Sequence, residues 1–256
     1  MSNIHPTAII NPGAQIADGA IIGPFCFIGP NVKIGAGTVL QTHVVVDGHT
    51  TIGKNCQLFP FACIGMKTQD LKYAGGLTYV EIGDNTVLRE FCTIHSGTKD
   101  AESTRVGSGC LIMAYCHIAH GCTVGNEVIM SNSAQLAGEV KVEDRAIIAG
   151  MTGVHQFCRI GTMAMVGAAT KVRQDCPPYM ITDGEDAKVL GPNIVGLQRR
   201  GVSAEIRASL KEAHRLLYRE GLNRSQALER IKLEVPDCAE LRHLVEFYQQ
   251  SQRGVH

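Results

Sequence analysis

The chain has 256 residues, 24 Lys and Arg against 24 Asp and Glu, and no tryptophan. A formal charge of zero argues against nucleic acid, which recruits a basic face, and this length allows one or two domains. No apolar run reaches the roughly 18 residues of a membrane span, and MSNIHPTAII lacks the charged leader and apolar stretch of a signal peptide, so a soluble cytoplasmic protein is expected.

From Ile4 an aliphatic residue returns every six positions: Ile10, Ile16, Ile22, Ile28, Ile34, Leu40, and onward to Val172. Only Asp70, Gly76 and Asp100 break the column. The position four after each aliphatic is small, as in Ala8, Ala14, Ala20, Cys26 and Thr38, and the position directly after it is rich in glycine. No helix or alternating strand has this period. A short fixed repeat marks a solenoid whose units bury a core only by stacking. Three hexapeptides close one triangular coil of a parallel β-helix, and coils sit roughly 4.8 Å apart, the spacing of paired strands. Residues 18 apart are therefore vertical neighbours. Eight of the ten cysteines (Cys26, Cys56, Cys92, Cys110, Cys116, Cys122, Cys158 and Cys176) fall on the small-residue phase. Packing as small hydrophobes is expected of them, rather than zinc or disulfide chemistry. The pattern resembles the hexapeptide-repeat acyltransferases, which implies a left-handed coil and a homotrimer.

Residues 66–79, MKTQDLKYAGGLTY, interrupt the ladder and read as an outward loop carrying Asp70, Lys72 and Tyr73 together. Loops on rigid scaffolds often carry function. The break at 99–104 fits one repeat slot and reads as a surface bulge. The prism is expected to stop near Cys176-Pro177-Pro178, since proline cannot donate into the ladder. An irregular stretch should run to about Gly201. Helical periodicity then begins at Ser203, a serine cap, and runs to Gly221. A second helix is expected over 225–235, and a third from Asp237, with Asp237 and Glu240 as a variant capping box. The fold class is thus an all-β parallel β-helix over 1–176, followed by an α-helical domain over 177–256. Arg199, Arg200, Arg207, Lys211, Arg215 and Arg219 face only Glu205 and Glu212, a basic local surplus able to steer an acidic partner.

The densest chemistry lies in CHIAHG (116–121), LAGE (136–139) and VHQF (154–157). His120, Gly138 and Gln156 recur at 18-residue steps, so they share one corner of three successive coils. A lone histidine is commonly a satisfied surface or core residue. Here His117, His120 and His155 gather with Glu139 and Gln156 where side chains point outward. An imidazole can take a proton near neutral pH, and a glycine one coil away lets a backbone N–H approach a reacting carbonyl as an oxyanion donor. Base and donor at this separation fit acyl transfer without an acyl-enzyme. A zinc site on His117 and His120, as in the γ-class carbonic anhydrases of similar fold, is the competing reading of His-x-x-His.

The stretches QDLKYAG (69–75), HIAHGCTVG (117–125), GMTGVHQF (150–157), PPYMI (177–181) and NIVGLQRRG (193–201) resemble those of the UDP-N-acetylglucosamine acyltransferases. The resemblance covers essentially the whole chain. It implies transfer of a 3-hydroxyacyl chain from acyl carrier protein to the sugar's 3-hydroxyl, the first step of lipid A biosynthesis. No cofactor is implied, because the acyl group arrives on the carrier's phosphopantetheine. It further implies His120 as general base and the Gly138 amide as oxyanion donor. Asp70, Lys72, His117, His155 and Gln156 would hold sugar and acyl group between subunits. Asn193, Arg199 and Arg200 would meet the nucleotide, and Ala168 would limit acyl-chain length. The acidic carrier protein would suit the basic helix faces.

Two positions depart from the family pattern. Gly121 stands where aspartate is common, and Glu139 where a histidine is expected. Both changes suit a 3-amino acceptor, whose ammonium form would pair with Glu139, giving an N-acyl product; alternatively Glu139 merely replaces a hydrogen-bonding partner. A coenzyme A-dependent acetyltransferase shares the prism but lacks the QDLKYAG loop and helical tail. A non-catalytic solenoid would show a uniform outward face.

Overall fold

The computed structural model describes residues 2–256. Its larger part is a stack of triangular coils bounded by three sheets of eleven, nine and eight strands. The first sheet starts at Asn3–Ile4, the second at Ile9–Ile10 and the third at Gln15–Ile16. Most strands are two residues long, because each hexapeptide supplies one outward and one inward residue before turning. Pairing within the stack is parallel and in phase, with Ile4 on Ile22, Ile22 on Leu40 and Leu40 on Leu58. This is the expected parallel β-helix.

The inward aliphatics form the core. Ile28, Leu40, Leu58, Ile94, Ile118 and Leu136 are fully buried, each such side chain contributing about 1.5–3 kcal/mol. The small column closes the corners: the eight in-phase cysteines are free and buried, and Thr38, Thr86 and Thr152 donate their hydroxyls to the carbonyls of Gly53, Gly107 and Gly167. Burial pushes the thiol of Cys116 up to about 11 and that of Cys92 up to about 12, so these groups stay protonated and inert.

Two coils are longer than the rest. Val39, Gln57, Val87 and Leu111 stand on successive rungs of the first sheet, so the 18-residue coil grows to 30 and then 24. The added residues leave between Cys63–Met66 and Tyr79–Ile82, and between Thr93–His95 and Ser103–Val106. Both exits lie at the edge where the second sheet turns into the third. That edge also carries His120, Gly138 and Gln156.

Past the prolines, Met180–Asp183 adds another parallel rung to the first sheet beside Met165–Val166, then pairs antiparallel with Lys188–Pro192. The stretch expected to be irregular therefore contains a hairpin, followed by a short helix, α1, over Ile194–Arg199. Ser203 caps α2 (Ala204–Tyr218) as expected, accepting from the Ile206 N–H. Helix α3 (Arg224–Glu234) opens instead on Asn223, in a capping box with Gln226. The Asp237 box does not form. Helix α4 starts two residues later (Ala239–Gln250), its N-cap Cys238 makes no side-chain cap bond, and the Asp237 carboxylate is taken by Arg242. An ion pair with a guanidinium outcompetes the local cap.

The helices make a second apolar cluster around Leu210, Leu216, Ile231, Leu244 and Phe247, which Tyr179 and Met180 join from the prism end. Arg159 lays its guanidinium 4.1 Å from the Phe247 ring centroid. The C-terminal tail returns to the last coil, where Val255 bridges Asp175. Among the described residues no helix is long and apolar enough to cross a membrane.

Candidate active site

The two inserted loops lean on one another over His120. Thr68 and Thr98, both buried, bond at 3.2 Å between their hydroxyls and tie the loops together. Asp70 is held by its own turn: its N–H donates to Thr68 Oγ1, and its carboxylate accepts from the Lys72 N–H at 3.0 Å. The other carboxylate oxygen, Oδ2, lies 3.6 Å from His120 Nε2, with both side chains about four-fifths buried. His120 Nδ1 is buried and has no partner among the described residues. An unmet buried polar atom costs about 1–3 kcal/mol, and such cost is typically tolerated where function needs it.

Gly138 stands one rung beyond His120, whose carbonyl accepts the Glu139 N–H. A Cβ on Gly138 would lie 2.3 Å from His120 Nε2. Only glycine lets the backbone approach the imidazole this closely. The Gly138 N–H itself has no partner among the described residues.

Below His120 lie two more imidazoles. His95 and His117 meet edge to face at 4.8 Å, and His117 Nδ1 bonds Thr93 Oγ1 at 2.8 Å. Burial first, then the neighbouring His95, pushes His117 down to about 4; burial and His120 push His95 down as well. These rings are neutral hydrogen-bonding surfaces at pH 7. The unfolded chain, with His117 near its usual ~6.5, therefore takes up a proton between about 6.5 and 4 that the folded chain refuses. Stability falls as the pH falls through that window. Replacing His117 with Asn should flatten part of this loss in urea titrations, and an unchanged slope would refute the assignment.

Glu139 pairs with Lys99 at 3.6 Å. Gly121, at φ +66°, faces this pair: a Cβ there would meet Glu139 Cδ at 3.0 Å and Glu102 Cδ at 3.3 Å. The Glu102 carboxylate is fixed by the Thr98 and Lys99 N–H groups. Glycine at 121 and glutamate at 139 are thus one coupled arrangement, with the larger side chain filling the space the smaller one leaves. Lys99 and Glu102 belong to the 99–104 break read as a surface bulge. That reading is corrected here, because the segment walls the site. The signal was Asp100 in an aliphatic slot.

His155 and Gln156 lie farther along the same edge, both exposed, and Arg253 donates to His155 Nδ1 at 3.1 Å. Lys72 is exposed on the 66–79 loop. Asn193, Arg199 and Arg200 do not join them. Asn193 caps α1 and donates to the Met163 carbonyl, and Arg200 pairs with Glu127. Met163 and Glu127 lie on the edge where the third sheet turns into the first. Ala168 is exposed on the remaining edge, between the first and second sheets. Among the described residues no group of three His, Cys, Asp or Glu side chains is placed to hold a metal.

Residues 175–256 match the family model described as UDP-N-acetylglucosamine O-acyltransferase, domain 2, and residues 103–138 match that of the bacterial transferase hexapeptide. A curated relative from Verminephrobacter eiseniae, acyl-[acyl-carrier-protein]–UDP-N-acetylglucosamine O-acyltransferase, is 51% identical over 230 residues, covering 90% of this chain and 88% of its own. The chain belongs to the UDP-N-acetylglucosamine acyltransferase family. Solved structures agree. The enzyme of that name from Francisella novicida superposes with a TM-score of 0.95 at 41% identity, covering 98% of this chain and 93% of its own. The UDP-N-acetylglucosamine O-acyltransferase of Moraxella catarrhalis gives 0.94 at 44%, covering 98% of each chain. A left-handed β-helix with a helical C-terminal region is the architecture of the family.

Proposed function

We propose that the protein transfers a 3-hydroxyacyl chain from acyl carrier protein to the 3-hydroxyl of UDP-N-acetylglucosamine, the first step of lipid A biosynthesis, and acts in the cytoplasm. The observation that carries this is Gly138 standing against the His120 imidazole with its N–H free. His120 Nε2 accepts the proton of the sugar hydroxyl as that oxygen attacks the thioester carbonyl. The oxyanion of the tetrahedral adduct accepts from the Gly138 N–H. The C–S bond then breaks, and the proton on His120 passes to the departing thiolate. Each element is worth a large factor: roughly 10²–10⁴ for the base and 10²–10³ for the donor. Asp70, Lys72, His117, His155 and Gln156 hold sugar and acyl group around this centre. No step calls on a resident cofactor, because the acyl group arrives on phosphopantetheine.

The nucleotide set Asn193, Arg199 and Arg200 lies on a different edge of the prism from His120, and Ala168, which limits acyl-chain length, lies on the third. One protomer cannot present all of them to one substrate. A homotrimer about an axis parallel to the prism brings an edge of one copy against another edge of its neighbour, which supports a cleft between subunits. In this reading the β-helix of 1–176 performs the chemistry and the helical domain of 177–256 supplies nucleotide contacts and a basic face for the carrier.

The amine acceptor is not favoured. Glu139 already has a cation in Lys99, and the relatives from Verminephrobacter eiseniae and Moraxella catarrhalis are named as O-acyltransferases. Mass spectrometry of products from 3-hydroxyacyl carrier protein, with UDP-N-acetylglucosamine and its 3-amino analogue in competition, should give the ester. A predominant amide would overturn the acceptor, and no product with either sugar would overturn the transfer.

A further inference from the structure

The loop that brings Asp70 to His120 has little packing to hold it. Every residue from Gln69 to Leu77 is exposed or half-buried, and both Leu71 and Leu77 face water. A segment with so few buried apolar contacts opens easily. Its position is set instead by polar ties to the 98–102 turn of the neighbouring insertion. At the start of the loop Thr68 bonds Thr98. At its end the Leu77 N–H donates to Asp100 Oδ1 at 2.8 Å, and the Leu77 carbonyl accepts the Ala101 N–H at 2.7 Å. Gly76 lies so close to this anchor that a Cβ there would meet Asp100 Oδ1 at 2.9 Å. Both ends of the loop therefore rest on one turn.

Glu102 closes that turn. One oxygen of its half-buried carboxylate, Oε2, accepts from the Thr98 N–H and, at 3.4 Å, from the Lys99 N–H. Its own N–H donates to the Lys99 carbonyl at 3.0 Å. Hydrogen bonds to an ionised acceptor are roughly twice as strong as neutral ones. Gly97 packs directly against this side chain, where a Cβ would meet Glu102 Cβ at 2.6 Å and Cγ at 2.8 Å. The exit of the turn is fixed as well: the Glu102 carbonyl accepts the Tyr79 N–H at 2.9 Å, and Ser103–Val106 pairs in register with Tyr79–Ile82. The contacts run from a rigid rung through Glu102 to Thr98 and Asp100, and from these to the two ends of the loop. An anion 3.6 Å from His120 Nε2 is placed to stabilise the charge that develops when the imidazole takes a proton. That benefit needs the distance kept. We propose that Glu102 is a positioning residue for this reaction, closing the turn from which Asp70 is held against His120. The inference rests on the reading of His120 as the base.

The test uses the full chain with 3-hydroxyacyl carrier protein and UDP-N-acetylglucosamine, comparing Glu102→Ala, Glu102→Gln, Asp70→Ala and the double variant Asp70→Ala/Glu102→Ala. Glu102→Ala should lower kcat/KM at least about tenfold, since a misplacement of about 1 Å can cost on the order of 100-fold. Glu102→Gln, whose amide oxygen still accepts the Thr98 N–H, should recover to within about threefold of wild type. In the double variant, loss of Glu102 should add less than about twofold to the effect of Asp70→Ala, because residues acting through one network are not additive. A merely structural role would multiply the two losses instead. Hydrogen exchange reads the same contacts without turnover: in Glu102→Ala the amides of 69–77 should exchange at least about tenfold faster, with those of the prism rungs unchanged. Multiplying losses, a Gln variant as poor as the Ala variant, or loop amides that keep their wild-type rates would each overturn the inference. A wild type without acyl transfer sinks the reaction proposed above and not the clamp, which the exchange rates then decide on their own.

Discussion

His120→Ala is expected to lower kcat by about 10²–10⁴, the range in which general bases contribute, while KM for the UDP-sugar changes far less. The split follows from the geometry. Asp70 contacts His120 at 3.6 Å but does not depend on it for its position. The turn bonds from Thr68 and to the Lys72 N–H, and the Thr68–Thr98 link between loops, remain in the variant. In the proposed mechanism, ground-state contacts to the sugar therefore survive, whereas the atom that would take the proton is gone. Other imidazoles cannot substitute easily. His117 is pushed down to about 4 by burial and by His95, and is committed to Thr93, so it is a weak base set in a fixed direction. Single-turnover measurements with 3-hydroxyacyl carrier protein check the step itself. A variant retaining more than about a tenth of wild-type kcat would remove His120 from the role of base.

The fold was legible in the sequence because one rule governs it. Each inward position must be aliphatic and each corner small, so the six-residue column from Ile4 to Val172 states the architecture directly. His120, Gly138 and Gln156 were legible by the same arithmetic, since their 18-residue spacing survives where the coils are regular. The spacing fails where coils lengthen. His117 pairs with Thr93, 24 residues back, and Asp70 reaches His120 from a loop no periodicity describes, so the contacts of His120 with Asp70, and of His117 with His95 and Thr93, came only from the structure. Lys99 and Glu102 were hidden for a related reason: a polar slot reads the same whether it faces water or a neighbouring loop. At α4 local chemistry misled, because Asp237 has a capping pattern but a guanidinium within reach.

Gly121 and Glu139 illustrate how a departure from a family pattern can be absorbed without a change of reaction. The carboxylate lost at 121 is met by two others in the same space, Glu139 and Glu102, and the charge this brings is offset by Lys99. Glu139 and Glu102, from different coils, crowd the space that a side chain at 121 would need. An acceptor change is not needed to explain either residue.

Gly138→Ala should be as damaging as loss of the base, although it adds one carbon and removes no functional group. The added Cβ would sit 2.3 Å from His120 Nε2 and 2.4 Å from Cε1, well inside van der Waals contact, so ring or backbone must move. The ring has little room: it is four-fifths buried, with Asp70 on its Nε2 side. The backbone is tied by the Glu139 N–H to the His120 carbonyl and by the Phe157 N–H to the Gly138 carbonyl. The proposed base and oxyanion donor are therefore displaced together, and a misplacement of about 1 Å is enough to cost on the order of 100-fold. Combined with a weakened oxyanion contact, itself worth roughly 10²–10³, the expected fall in kcat is about 10³ or more. Folding should be nearly untouched, because the clash is with a side chain at an outward corner and not with the aliphatic column. Gly191→Ala in the hairpin, where a Cβ would meet nothing within 4 Å, is the matched control and should keep full activity. If Gly138→Ala turned over within tenfold of wild type while Gly191→Ala did the same, the close approach of backbone to imidazole would have no catalytic meaning, and the oxyanion donor would have to be sought elsewhere on this edge.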